Sequence, residues 1–359
     1  MSNRTARSCV STLMLSLGVA SLVSANDVPR RPDGRPDLSG NYDTGTLTPI
    51  QRRPEIGDRK AFTAAEAEQM ERAIAAWAAA DAKPGDPDRK APSAGGSVGG
   101  YNAIYFDRGT TPTRVNGELR TSIVVDPADG RFPPLTERGR QRRAKLFPFE
   151  KENTGSAWWL DQEVGPYDNP ESLSIADRCI FSLEATIPVL PKFYNNVKTL
   201  VQTDDYLAIL VEWMHYTRII RLVPAPGSDG VRAQHAPPEL RSRAGDSIGW
   251  WEGDTLVVDT TNFLEEDWQA ATLYGEPSPP ADQHVVERFT RIDREQLLYQ
   301  FTVTSGDHES PYAGEYTWPV TDGKLYEYAC HEGNYSMGNT LRGARFLERE
   351  AAGAATADR

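Results

Sequence analysis

Beyond residue 195 the apolar positions of this chain fall into short alternating runs separated by Asp, Gly and Pro. The run 195–203 is followed by 206–223, which is apolar on both faces and predicts two central strands meeting near 214–217. Residues 248–261 read as a hairpin with Glu252-Gly253-Asp254 as its turn. Four further strands are predicted at His284 to Ile292, Leu297 to Thr304, Tyr312 to Val320 and Leu325 to Cys330. Consecutive strands with short links make an antiparallel meander, and no sustained helical period follows Ile175. A meander this long, holding a two-sided strand, hides its edges by curling. The expected fold class is therefore mainly β, a meander closing into a barrel or strongly curved sheet of calycin or lipocalin type, with an N-terminal arm and one or two helices.

The first third has a different texture. Residues 1–25 read as a secretory signal, with Arg4 and Arg7 before the apolar run Cys9 to Val23 and small residues at Val23-Ser24-Ala25. From 26 to 100 the pattern predicts an extended arm, a helix and a linker. The helix begins at the capping box Thr63-Ala64-Ala65-Glu66 and runs to Ala80, and the linker from Lys83 to Gly100 is rich in Pro, Gly, Asp and Ser. A strand at Leu119 to Val125 and a helix after Thr136 precede an irregular stretch, 150–175. The barrel-like domain is placed at 101–345 and a disordered tail at 346–359.

Charge narrows the partners. The formal net charge of −12 becomes about −14 once the two signal arginines are removed. So acidic a chain is a poor match for phosphate backbones, and nucleic acid is excluded as a partner. No stretch after the signal approaches the ~20 apolar residues that a membrane span requires. The expected location is periplasmic or secreted. Two cysteines remain after the signal, Cys179 and Cys330. In an oxidising compartment a disulfide between them is expected, with two buried thiols or a catalytic Cys330 as alternatives.

Several segments carry a resemblance: Pro36-Asp37-Leu38-Ser39-Gly40, Arg178-Cys179, Tyr194-Asn195-Asn196, Trp251 to Phe263, Glu287 to Arg291, and Tyr326-Glu-Tyr-Ala-Cys-His-Glu-Gly-Asn-Tyr335. On these the chain from Tyr101 onward resembles a family of exported bacterial proteins of uncharacterised function. The resemblance implies relatives with a signal peptide and no particular reaction. At Glu212-Trp-Met-His-Tyr-Thr-Arg-Ile-Ile-Arg221, His215 and Arg218 match the family pattern, while Tyr216 stands where relatives carry an acid.

Chemistry is sought first at histidine, since the chain has five and an imidazole titrates near neutrality. His331 sits in the densest group of reactive residues, although strand parity would put Glu327, Ala329 and His331 on one face and Cys330 and Glu332 on the other. His215 falls on the apolar face of Leu207, Ile209, Val211 and Trp213, where burial would tune it for proton transfer. These two are the expected catalytic residues. Arg218, Asp246, Trp251, Glu332 and Asn334 are the expected substrate-binding residues. His235 joins them in no recognised zinc spacing, and no dinucleotide or phosphate loop is present, so neither metal nor other cofactor is expected. The function expected is an exported, cofactor-independent isomerase, lyase or cyclase that binds a small, largely apolar or aromatic molecule inside the barrel. The alternatives are a lipocalin-like carrier, or a carbohydrate-active enzyme using a pair such as Asp246 and Glu252.

Overall fold

The computed structural model describes residues 27–93, 96, 106–146, 154–181, 187–214, 216–227, 234–265 and 279–357. The expected signal lies outside them, and so does His215. Twelve strands are seen among the described residues: β1 (Gly40–Asp43), β2 (Arg114–Val115), β3 (Glu118–Leu119), β4 (Val124–Asp126), β5 (Val197–Gln202), β6 (Tyr206–Val211), β7 (Thr217–Leu222), β8 (Asp246–Glu252), β9 (Thr255–Thr261), β10 (His284–Arg291), β11 (Gln296–Thr304) and β12 (Tyr312–Pro319). Helices α1 (Ala64–Asp81), α2 (Glu137–Leu146), α3 (Cys330–Gly333) and α4 (Tyr335–Ala357) complete it.

Ten strands form one sheet in the order β1-β5-β6-β7-β8-β9-β10-β11-β12-β4, curled into a half-barrel. The curl brings β1 back to the chain just beyond β12, where Tyr42 and Val320 form a single bridge. The mainly β reading holds, and one pairing departs from a simple meander: β7 and β8 run parallel. Parallel neighbours need a long crossover. The link 223–245 supplies one.

Alternation decides which side chains fill the concave face. Along β10, Val285, Glu287, Phe289 and Arg291 are buried, while their alternates are half-buried. Leu297, Tyr299, Phe301 and Val303 of β11 face the same way, as do Gly314, Tyr316 and Trp318 of β12. Their rings interlock: Trp318 lies 4.6 Å from Tyr299 and 5.7 Å from Phe289. Gly314 is opposite Phe301, and a Cβ there would sit 2.2 Å from the ring, so only glycine admits it. The loop at 187–190 lies over this floor, with the Val189 amide donating to the Tyr299 hydroxyl at 2.9 Å and the Tyr316 hydroxyl donating to the Val189 carbonyl at 3.1 Å. Leu38 and Tyr42 from the expected arm are fully buried in the same core.

One charged pair sits inside this apolar shell. Arg218 of β7 donates through both terminal nitrogens to Glu287 of β10, and it also donates to Ser247 of β8 and Thr260 of β9. Tyr299 of β11 donates to Glu287 at 2.7 Å. Arg218 is 6% exposed and Glu287 0%. Arg218, expected to bind substrate, is thus an interior strut.

The C-terminal segment differs from the sequence reading. Leu325 to Cys330 is no strand: Tyr328 makes one parallel bridge to Trp213, and the chain then turns into α3. The expected end of the barrel and the expected disordered tail are replaced by α4 as far as Ala357. Met337, Leu341 and Ala344 recur at helical spacing, and Ala344 is buried. Arg345 anchors α4 by donating to the Tyr167 and Asp168 carbonyls. Gly338, Gly343 and Gly353 had masked the helix by lowering its local propensity.

Removing one partner of the buried pair leaves an uncompensated charge, which costs about 3–5 kcal/mol. Glu287→Gln should therefore lower the urea-unfolding free energy by that amount, while the double change Arg218→Met with Glu287→Leu should recover a large part. Equal losses in both variants would show that shape, not charge, is what the site demands.

Candidate functional site

Because side chains fill the concave face, the open space lies at the rim. A cleft of about 740 Å³ is walled by Phe106, Asp107, Tyr194, Asn195, Glu212, Tyr326 and Tyr328. Four separate stretches of chain build it: residues 106–107, the loop before β5, the turn after β6, and the segment before α3. Three of them carry recognised sequence motifs: Tyr194-Asn195-Asn196, Glu212 to Arg221 and Tyr326 to Tyr335.

The turn after β6 is set by Met214, whose φ of 56° reverses the chain; Asn195 also takes a positive φ, 58°. Such conformations cost energy in residues other than glycine and persist where neighbours hold them. The neighbours here are aromatic. Trp213, 6% exposed, lies between Tyr194 at 5.4 Å and Tyr328 at 5.0 Å, with ring planes tilted by 37° and 32°. Beside this stack the Glu212 carboxylate accepts from Asn195 Nδ2 at 2.7 Å and from the Tyr326 amide at 2.9 Å. These two donors fix the carboxylate's direction. The amide oxygen of Asn195 and the indole nitrogen of Trp213 are buried and make no hydrogen bond among the described residues.

On the far wall Asp107 lines the cleft, and Asp43 lies beside it outside the lining. A Cβ on Gly45 would lie 3.0 Å from Asp43 Oδ1 and 3.1 Å from Asp107 Oδ1, so the two acids flank one glycine. Burial first, and then the charge of Asp107, push the Asp43 carboxyl up to about 6, against the Gly45 amide and Lys198. Lys198 itself is buried and donates to the Asn195 carbonyl at 2.5 Å.

The C-terminal wall is tied down covalently. Cys179 and Cys330 form a disulfide, with Cα atoms 5.8 Å apart. Asn334 donates to the Asp177 carbonyl at 2.6 Å and so holds the same segment. Asn334 and Cys330 therefore position the wall; neither lines the cleft. His331 and Glu332 are exposed on α3, outside the lining. Trp251 lies on β8, with the Arg35 guanidinium 5.9 Å from its ring centre.

Asp246 belongs to a different array on the outer face of the sheet. His235, from the crossover, hydrogen-bonds Asp246 Oδ2 through Nδ1 at 2.8 Å and Asp259 Oδ1 through Nε2 at 2.9 Å. His284 Nε2 meets the other oxygen of Asp259 at 2.8 Å. The Ala236 amide and Arg221 also face Asp246. Both nitrogens of His235 face carboxylates, an arrangement that an imidazolium satisfies. The bond to Asp259 raises the pKa of His235, and likewise that of His284. Burial alone would raise Asp259, yet the bonds from His235 and His284 hold it down at about 2. Among the described residues no group of three or more His, Cys, Asp or Glu is arranged to hold a metal ion. The sequence signal for this array was parity: Asp246, Asp259 and His284 all alternate with buried neighbours on paired strands.

This array clamps the crossover to the sheet, with a defined pH window. Raised histidine pKa values stabilise the fold fully below 6.5 and lose effect as pH climbs through the folded-state value. The lowered Asp259 stabilises above 3.8 and loses effect as pH falls toward 2. His235→Gln should therefore cost on the order of 1 kcal/mol near pH 5–6, discounted for solvent screening, and progressively less toward pH 9. Thermal melts of both proteins across that range read the difference; a penalty independent of pH would refute the clamp. No protein-family model matches the sequence, and no curated protein matches it either.

Proposed function

We propose that the protein is an exported enzyme that binds a small, largely aromatic or apolar molecule in the rim cleft and moves a proton on it, as an isomerase or lyase does. One observation carries this reading: chain segments far apart in sequence converge on a single concave space around Glu212, a carboxylate oriented by two N–H donors. A base fixed in direction beside a stacking wall is the geometry that proton transfer needs. Asp43, whose carboxyl is pushed up to about 6 by burial and the charge of Asp107, stands by as a proton store beside Asp107. In this reading the half-barrel is a calycin-like scaffold used at its rim, with His331 at the exit of the wall segment.

The alternatives have less support. A carrier of lipocalin type needs room on the concave face, where Tyr42, Tyr299, Tyr316 and Trp318 are fully buried. A glycosidase pair at Asp246 and Glu252 needs both carboxylates at one bond, whereas Asp246 meets His235 and Glu252 meets Arg288.

The test is untargeted mass spectrometry of a cell metabolite extract incubated with the purified chain and with heat-killed chain. Native protein should deplete one compound and produce an isobaric or fragment product. Glu212→Gln should slow that conversion by roughly 10²–10⁴-fold, and His331→Ala by less. Absence of any native-specific change, or full activity in Glu212→Gln, would overturn the proposal.

A further inference from the structure

Between α1 and the loops at 46–53 and 191–193 lies an open groove of about 530 Å³ that shares no lining residue with the rim cleft, and we infer that it binds an organic carboxylate with a flat apolar body. The inference stands whether or not the rim cleft is the active centre. Arg53, Arg108 and Lys192 line the groove, and no acid is among its described lining residues, although acidic side chains outnumber basic ones in the chain by 51 to 39. A groove of locally reversed sign concentrates anions. Lys192 is buried, whereas Arg53 and Arg108 are exposed and open to a guest. Neither guanidinium makes a hydrogen bond or an ion pair among the described residues.

Arg108 is held in place without its donors being used. Its Cζ lies 5.0, 5.0 and 5.1 Å from the ring centres of Trp77, Phe106 and Phe193. Rings attract the cation, but the N–H fork still wants oxygen acceptors, and a carboxylate meets such a fork with two parallel bonds. Glu71 and Asp107 border Arg108 in the adjoining groove, yet neither forms an ion pair with it among the described residues. A second, independent observation concerns α1. Ala67, Met70, Ile74 and Trp77 recur at helical spacing, and of these only Ala67 is buried. Met70, Ile74 and Trp77 line the groove opposite Phe193, which is itself 39% exposed. A flat apolar body laid between Trp77 and Phe193 takes that surface out of water while Arg108 holds the carboxylate. A bare inorganic anion would leave the apolar stripe wet, and a neutral ring would leave the guanidinium unmet. About 530 Å³ is ample for a molecule of two fused rings.

Calorimetric titration of the full chain with 1-naphthaleneacetate, the neutral 1-naphthaleneacetamide and inorganic phosphate tests this. The carboxylate should bind at least about tenfold more tightly than the amide and weaken as salt is added, and phosphate should show no measurable binding. Arg108→Gln should remove about tenfold of the affinity for the carboxylate and leave that for the amide unchanged, a charge-specific loss that misfolding does not mimic. Arg53→Gln supplies the same readout from the other side of the groove should the first variant fail to fold. Equal affinity for carboxylate and amide, or phosphate binding as tightly as the carboxylate, overturns the organic anion. Carboxylate binding that survives both substitutions undiminished places it elsewhere and overturns the groove, and failure of all three probes to bind overturns the proposal outright.

Discussion

The buried pair between Arg218 and Glu287 is the constraint around which the half-barrel is built. Through Ser247, Thr260 and Tyr299 it touches five consecutive strands, β7 to β11. Taking two charges out of water costs several kcal/mol each, and only near-complete hydrogen bonding offsets it. Here the guanidinium finds two carboxylate oxygens and two hydroxyls, and the carboxylate also accepts from a tyrosine. Such a network tolerates one register, because a slip of one residue would turn Arg218 and Glu287 toward solvent. It holds at the same point the parallel step from β7 to β8, the place where the sheet departs from simple hairpins.

Filling the concave face with this network and with large rings moves the chemistry outward. The rim cleft forms beside the start of β5 and the end of β6, and the C-terminal segment closes one side. That segment makes one bridge to the sheet, so the disulfide and the Asn334 contact do what a ladder of hydrogen bonds would otherwise do. Scaffold and site thus rest on different forces: buried charge and packing for the sheet, a covalent tether and an aromatic stack for the cleft.

How much was legible in the sequence follows from the range of each interaction. The alternation of β11 shows directly, since Leu297, Tyr299, Phe301 and Val303 make one face apolar, whereas in β10 Val285 and Phe289 share their face with Glu287 and Arg291. The turn at Gly253 and the capping box at Thr63 are local chemistry and were readable. Arg218 was singled out correctly as unusual, but its role depends on a partner sixty-nine residues away, which no local pattern reveals. The same holds for Asp246, whose partner His235 sits in a crossover of unreadable path. Three segments of the cleft carry recognisable motifs, yet where a motif holds an imidazole that is the more conspicuous group, because the chain has only five. Glu212 and Asn195 stand in recognised motifs but carry no assigned role there, since their meaning lies in a meeting of four distant stretches. Helix α4 was missed because three glycines interrupt an otherwise helix-forming composition.

The central claim is that a tethered wall, distinct from the sheet, makes the cleft. Hydrogen exchange on the Cys179→Ser, Cys330→Ser double variant measures it most directly. The expected result is loss of protection at the Tyr326 amide, which donates to Glu212, with the amides of β9 to β11 still protected as in the native chain. Retained protection at Tyr326, or loss spread evenly through the sheet, would contradict the claim.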